Sequence, residues 1–340
     1  MKAVVLVGGF GTRLRPLTYT RPKQMLPICG KPMIEWVAAG LAMHGVTEIC
    51  LSLGYKPEPF MEAFPSGYCA GAKLHYAVEP EPLDTAGAIA FAARSAGFDK
   101  GGEAFVAVNG DVLTDLDVTA LIAFHRASNA EATMALTEVE DPSRFGVVPT
   151  DDDGRVLGFI EKPPRDSAAT RWINAGTYVL ESSVLDRIPA GERVSIERAT
   201  FPAIVAGGRM FAVKSNAYWL DAGKPAEYLQ AQVDLLSGVR GETPVDGIIG
   251  SARVPANAII ELSVIDDGCV IGEHSTIVNS VLLPGCVVGS HVRIIDSIVG
   301  EGVTIGDRAE ILNGSVIGDG ESIAAGAHLD GVMQPDPDAK

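Results

Sequence analysis

The stretch AVVLVGGFGTRLRPLT, residues 3–18, runs from a short apolar segment straight into a turn of three glycines and two arginines. Ala3 to Val7 is apolar and β-rich, too short for a membrane span or the apolar centre of a signal peptide, and reads as a buried first strand. Gly8, Gly9 and Gly11 lack side chains, so backbone N–H groups there can close on phosphate oxygens. Thr12 adds a hydroxyl and Arg13 a charged fork. The spacing fits neither the dinucleotide-binding fingerprint nor a Walker A loop. A glycine turn alone is equally consistent with a tight strand-to-helix connection. Arg13, Arg15, Arg21 and Lys23, within the eleven positions 13–23, tip the reading toward a phosphate site.

Outward from this turn, to residue 237, short β-rich runs alternate with helical patterns. Expected strands are Ala3 to Val7, Glu48 to Leu53, Leu74 to Val78, Ala104 to Asn109 and Thr133 to Val139. Expected helices are Met33 to His44, Ala86 to Ala96 and Val118 to Ser128. That alternation predicts a Rossmann-like α/β domain with a mostly parallel sheet over residues 1–237. Ligands of such sheets bind at the carboxyl ends of strands, which directs attention to the loops after Val7 and Asn109.

Residues 238–247 read as a linker, and beyond them the texture changes. Branched apolar residues recur every six positions: Ile265, Ile271, Ile277 and Leu283 in one register, Leu282, Val288 and Ile294 in another, then Val299, Ile305, Ile311 and Ile317. Glycine often follows directly. A six-residue period is too long for a helix face and predicts a short β-helix of hexapeptide turns over residues 248–325, resembling the left-handed type, with a tail at 326–340.

The formal charge of −16 repels nucleic acid and anionic membrane, so a site for phosphorylated substrates must build its own positive patch. Five scattered cysteines with no C-x-x-C pair suit reduced core thiols of a cytoplasmic protein. Six histidines share no motif and read as surface or satisfied core residues. By residue type alone, Asp111 could cap a turn, Lys162 could be a solvated loop lysine, and Asp221 could cap the helix that follows it.

The block from Leu6 to Thr18 followed by Pro22-Lys23 resembles the signature of the sugar-1-phosphate nucleotidylyltransferases, nearest to the branch that transfers guanylyl groups to mannose 1-phosphate. The resemblance continues through Glu81-Pro82-Leu83-Asp84-Thr85-Ala86-Gly87, Asn109-Gly110-Asp111, Phe145-Gly146-Val147-Val148, Phe159-Ile160-Glu161-Lys162-Pro163, Ile173-Asn174-Ala175-Gly176 and Trp219-Leu220-Asp221-Ala222-Gly223. It implies that Arg13 holds the triphosphate, Lys23 the α-phosphate and departing charge, and Lys162 the phosphate of the sugar. Asp111 and Asp221 match the family's Mg²⁺ ligands, and hard carboxylate oxygens suit that ion. Gly8, Gly9, Gly11, Thr12, Thr85, Gly87 and Gly146 would border substrate, and Glu161 and Asn174 would bind sugar hydroxyls.

Glu79 stands where pyrimidine-using relatives commonly carry Gln. A carboxylate only accepts, so it fits the N1–H and N2–H donors of guanine, and GTP is the expected nucleotide. Otherwise Glu79 is a solvated residue before Pro80. Alternatives keep the reaction with dTTP or UTP and glucose 1-phosphate, or GTP with a heptose or cyclitol phosphate, or make the chain a non-catalytic nucleotide-sugar-binding paralogue. Asp84 departs from the Gly that relatives usually carry there. All proposed catalytic residues precede the linker, so the β-helix is expected to serve assembly, in a homo-oligomer of two or more copies, and to be dispensable for chemistry.

Overall fold

The computed structural model describes residues 1–54, 57–165, 167–240 and 244–337. Residues 241–243 of the expected linker and 338–340 of the expected tail lie outside the described residues. The chain forms two compact units, Met1–Gly9 with Ile34–Trp219, and Phe10–Met33 with Leu220–Lys340.

The first unit is built on a ten-stranded mixed sheet. Lys2–Leu6 lies between Phe105–Asn109 and Glu48–Leu53, both parallel to it, and Ala72–Val78 extends the parallel part beyond Glu48–Leu53. Ala3, Val4 and Val5 are fully buried, as a central strand covered on both faces requires. On the other side of Phe105–Asn109 runs Trp172–Leu180, antiparallel, followed by Ala132–Glu138 and Met210–Ser215. The helix Asp84–Ser95 buries Ala86, Ile89, Ala90, Ala92 and Ala93; its small side chains let it lie close against Lys2–Leu6 and Glu48–Leu53. The register of Leu6 on Asn109 brings the start of the glycine turn beside Asn109-Gly110-Asp111 at the carboxyl ends of the strands.

In the second unit, three parallel ladders form the faces of a left-handed β-helix, and Ile265, Ile271, Ile277, Leu282, Val288, Ile294, Val299, Ile305, Ile311, Ile317 and Ile323 fill its interior. The two expected registers are one. Leu282, not Leu283, follows Ile277 in the core, because a single left-handed residue, Asn279, closes that corner and the early coils repeat every 17 residues. One later coil takes 18, with Gly314 as the added residue at the same corner, and the last returns to 17. The ladder also continues past residue 325: His328–Asp330 pairs with Glu310–Leu312, and Met333–Gln334 with Val316–Ile317. The expected tail is therefore ordered coil through Gln334.

Residues Phe10–Met33 cluster with the β-helix rather than with the sheet. The sequence places them in the first domain because they follow its first strand, but their partners are distant in sequence. Cys29 N–H donates to Gln232 Oε1 at 2.7 Å, and the Tyr228 hydroxyl donates to the Pro27 carbonyl. All five cysteines are buried and unpaired, and burial pushes the Cys29, Cys50 and Cys69 thiols up to about 12. Among the described residues, no helix is long and apolar enough to cross a membrane.

Candidate active site

The residues singled out in the sequence divide between the units. Gly8, Gly9, Glu79, Thr85, Gly87, Asp111, Gly146, Glu161, Lys162 and Asn174 belong to the first, and Gly11, Thr12, Arg13, Lys23 and Asp221 to the second.

In the first unit, Gly8 and Gly9 are exposed just beyond the Lys2–Leu6 strand, and the Gly110 N–H donates to the Leu6 carbonyl at 2.9 Å. Asp111 is half-buried on the next turn. Glu79 is not the solvated residue its place before Pro80 allows: it is 8% exposed. Its Oε1 accepts from Ser52 Oγ at 3.0 Å and its Oε2 from the Leu83 N–H at 3.0 Å. A Cβ on Gly8 would stand 3.8 Å from Glu79 Oε1, so this carboxylate borders the glycine turn and braces the loop leading to Leu83. Each oxygen keeps one further lone pair for a ligand donor.

Thr85 and Gly87 have structural partners. The Thr85 hydroxyl donates to Glu197 Oε2 at 2.8 Å and accepts from the Ile196 N–H at 2.8 Å. Gly87 packs on the Glu192 carbonyl, which a Cβ would meet at 2.6 Å. Both therefore fasten the helix Asp84–Ser95 to residues 192–197. Asp84 sits in the left-handed region at φ 60°, a conformation that glycine adopts without strain; its Oδ1 accepts from the Thr85 N–H at 2.8 Å and offsets that strain.

A second cluster carries the residues expected to hold the sugar phosphate. Gly146 pairs with Glu161 across two short antiparallel strands. A Cβ at Gly146 would come within 2.4 Å of the Phe159 ring, so only glycine allows that approach. Glu161 and Lys162 are exposed, with Lys162 Nζ 3.2 Å from Glu161 Oε1. The Lys162 N–H donates to the Phe145 carbonyl, and Phe145 meets Trp219 edge to face at 5.7 Å. Asn174 holds a bulge in its strand: its Oδ1 accepts from the Gly176 N–H at 2.9 Å and its Nδ2 donates to the buried Tyr178 hydroxyl at 2.8 Å. The bulge turns Gly176 onto the Asn109 side chain and the Ala175 carbonyl toward Trp219 Nε1, at 2.9 Å.

In the second unit, Gly11 adopts φ 60° and starts the short helical turn Thr12–Leu14. The Thr18 hydroxyl donates to the Gly11 carbonyl at 2.9 Å, and a Cβ on Gly11 would lie 3.3 Å from that of Lys23. The turn and Lys23 are thus brought together, with Thr12 and Arg13 exposed and Leu14 and Leu17 fully buried. The expected four-cation patch is smaller than its sequence count. Arg21 is paired with Glu301 and with Asp319, at 3.1 Å from the latter, and Arg15 stacks over the Tyr19 ring at 5.4 Å. Burial works against the Arg21 charge, but those two carboxylates hold its pKa above the ordinary arginine value. Neither this network nor the role of Thr18 is signalled by local sequence.

Asp221 is half-buried, and its Oδ1 accepts from the Gly223 N–H at 3.0 Å. Among the described residues, no group of three or more His, Cys, Asp or Glu side chains is arranged to hold a metal. By residue type, each of Asp111 and Asp221 offers the hard carboxylate oxygens that suit a divalent cation such as Mg²⁺.

The Nucleotidyl transferase family matches residues 2–238, and the GMPPB C-terminal domain matches residues 246–334. Mannose-1-phosphate guanylyltransferase of Mycobacterium tuberculosis is 41% identical over 284 residues, covering 79% of this chain and 76% of that protein. Probable mannose-1-phosphate guanylyltransferase 1 of Oryza sativa subsp. japonica is 40% identical over 277 residues, covering 80% and 75%. The crystal structure of HddC from Yersinia pseudotuberculosis aligns with a TM-score of 0.58 and 31% identity over 68% of this chain and 97% of that one. HddC complexed with GMP-PN aligns with the same TM-score at 30% identity. With the match running through the glycine turn, the Asn109-Gly110-Asp111 corner and the Glu161-Lys162 loop, this chain belongs to the nucleotidyl transferase family.

Proposed function

We propose that the protein transfers a guanylyl group from GTP to mannose 1-phosphate, forming GDP-mannose and releasing pyrophosphate. What carries this reading is identity of about two residues in five, over four fifths of the chain, to proteins named mannose-1-phosphate guanylyltransferase. The structural relative solved with GMP-PN supports a guanine nucleotide as ligand of this fold.

An oxygen of the sugar 1-phosphate attacks the α-phosphorus, and the bond to the β-phosphate oxygen breaks as pyrophosphate leaves. The nucleophile is already an oxyanion, so no general base is needed, and the absence of a Ser-His arrangement from the proposed site is no obstacle. Two polyanions must meet, and neutralising their repulsion is the main catalytic task. In this reading Arg13 grips the triphosphate, with Thr12 and the N–H groups of Gly8, Gly9 and Gly11 around its oxygens. Lys23 steadies the α-phosphate and the departing charge. Lys162 takes the phosphate of mannose 1-phosphate, while Glu161 and the remaining capacity of Asn174 take hydroxyls of the sugar. Asp111 and Asp221 would hold Mg²⁺, which when bound supplies further neutralisation of phosphate charge. Thr85 and Gly87 would border the nucleotide from the start of the helix Asp84–Ser95, which their contacts fasten to residues 192–197.

The same proposal includes a cytoplasmic setting and self-association into a dimer or larger homo-oligomer, checked by light scattering. Chromatography of a reaction containing the folded protein, Mg²⁺, GTP and mannose 1-phosphate should show GDP-mannose. No product under those conditions would overturn the reading.

A further inference from the structure

Arg21 stands two residues before Lys23 in the turn that binds phosphate in the proposed reaction, yet its side chain is turned to the β-helix. Its guanidinium pairs with Glu301 and lies 3.1 Å from Asp319 Oδ2. The Thr20 hydroxyl donates to the same Asp319 carboxylate. The two acids occupy one corner of the prism on successive coils, and the Glu301 N–H donates to Asp319 Oδ1 at 2.8 Å, which fixes the second carboxylate relative to the first. Pro16 packs on Gly318 beside them. The side chains of Arg21 and Asp319 are only 21% and 12% exposed, so water and salt screen this pair less than an ordinary surface pair.

From that corner the connections run directly to the proposed phosphate-binding groups. Pro22 follows Arg21, its carbonyl accepts from the Met25 N–H at 2.9 Å, and Lys23 packs against Gly11 at the start of Thr12–Leu14. Chemistry that depends on positioning is sensitive here, since a shift of about 1 Å in a catalytic group can reduce rate roughly a hundredfold.

We infer that the Glu301–Asp319 corner of the β-helix is a positioning device for the phosphate-binding turn, acting through Arg21, so that the C-terminal domain contributes to catalysis without touching substrate. The inference rests on the proposed reaction for its consequence and on the ion-pair network for its mechanism.

Full-length variants test the two parts separately: Arg21→Ala, Arg21→Lys, the double variant Glu301→Gln with Asp319→Asn, and the triple combination of that pair with Arg21→Ala. Hydrogen exchange of residues 10–25 in the double variant should accelerate by about tenfold or more, with the β-helix amides unchanged. Its kcat/KM for GTP should fall by about tenfold to a hundredfold, while KM for mannose 1-phosphate stays near the parent value. Adding Arg21→Ala should cause no further loss, and Arg21→Lys should retain more activity than Arg21→Ala. Parental exchange in the double variant overturns the proposal. So does faster exchange with parental kcat/KM, which would make the corner a packing contact only. A parent enzyme inactive on every substrate pair would sink the proposed reaction instead, and the exchange result alone would then decide whether the corner holds the turn.

Discussion

Replacing Glu79 by Gln separates the two things this carboxylate can do. Its oxygens accept from Ser52 Oγ and from the Leu83 N–H, each at 3.0 Å. A glutamine can keep its oxygen toward Leu83 and turn its NH2 toward Ser52, whose hydroxyl then donates to the Ala88 carbonyl, already 3.2 Å away. No buried group is orphaned, so the change is from charge-assisted to neutral hydrogen bonding, a loss of about 1–2 kcal/mol in stability. A much larger effect follows only if the carboxylate also accepts from guanine. One poorly paired base donor is worth about 1–3 kcal/mol, so the preference for GTP over dTTP should shrink by roughly fivefold to 150-fold. The assay is kcat/KM for both nucleotides with mannose 1-phosphate, in parent and variant, alongside urea denaturation. A variant destabilised as expected but unchanged in selectivity would refute base reading by Glu79 and leave it as the brace of residues 79–83.

Asp111→Ala and Asp221→Ala should each lower Mg²⁺-dependent turnover about a hundredfold or more with little change in melting temperature; near-parental turnover removes that aspartate from the site. At Asp84, φ 60° makes the residue type decisive: Asp84→Ala should cost about 1 kcal/mol by keeping the strain and losing the bond to the Thr85 N–H, whereas Asp84→Gly should be nearly neutral. Equal losses in the two variants, measured by urea denaturation, contradict that account. Burial pushes the Asp266 carboxyl up, against the lowering effect of its bond from the Asp267 N–H. The folded state therefore binds that proton more readily than the unfolded chain, and stability from this group falls as pH rises from the unfolded pKa up through the raised folded one. Asp266→Asn should accordingly raise the melting temperature at pH 7 and lose the advantage below about pH 3.9, the unfolded value; a gain of the same size at both pH values would tell against it.

The fold was legible where period and length agree. The Glu48–Leu53 strand and the helices beginning at Met33 and Val118 follow from local pattern, and the aliphatic column of the β-helix follows from its six-residue spacing. Its register was less so, because one side of each early coil has five residues and the shortening is absorbed by a left-handed Asn279, which looks in sequence like any polar turn residue. The candidate site was legible as a set of residue types and not as a set of contacts. Glu79 and Thr85 were identified by position, but only the coordinates reveal that Ser52, Leu83, Ile196 and Glu197 already engage them. The contacts of Phe10–Met33 were not legible, although the family match runs through this segment as part of residues 2–238. Chain order places this segment after the first strand, while the carboxylates that neutralise Arg21 are 280 and 298 residues away. No local pattern encodes a pairing over that distance. A cut after Gly238, expected from sequence to spare the chemistry, would remove both of those carboxylates.

The central claim is tested most directly by pyrophosphate release from the full-length protein over a matrix of GTP, dTTP, UTP and ATP against mannose 1-phosphate, glucose 1-phosphate, a heptose 1-phosphate and a cyclitol phosphate. GTP with mannose 1-phosphate should give the highest kcat/KM, by about tenfold or more over every other pair. A higher value for any other pair, or no release with GTP and mannose 1-phosphate from folded protein, would contradict it.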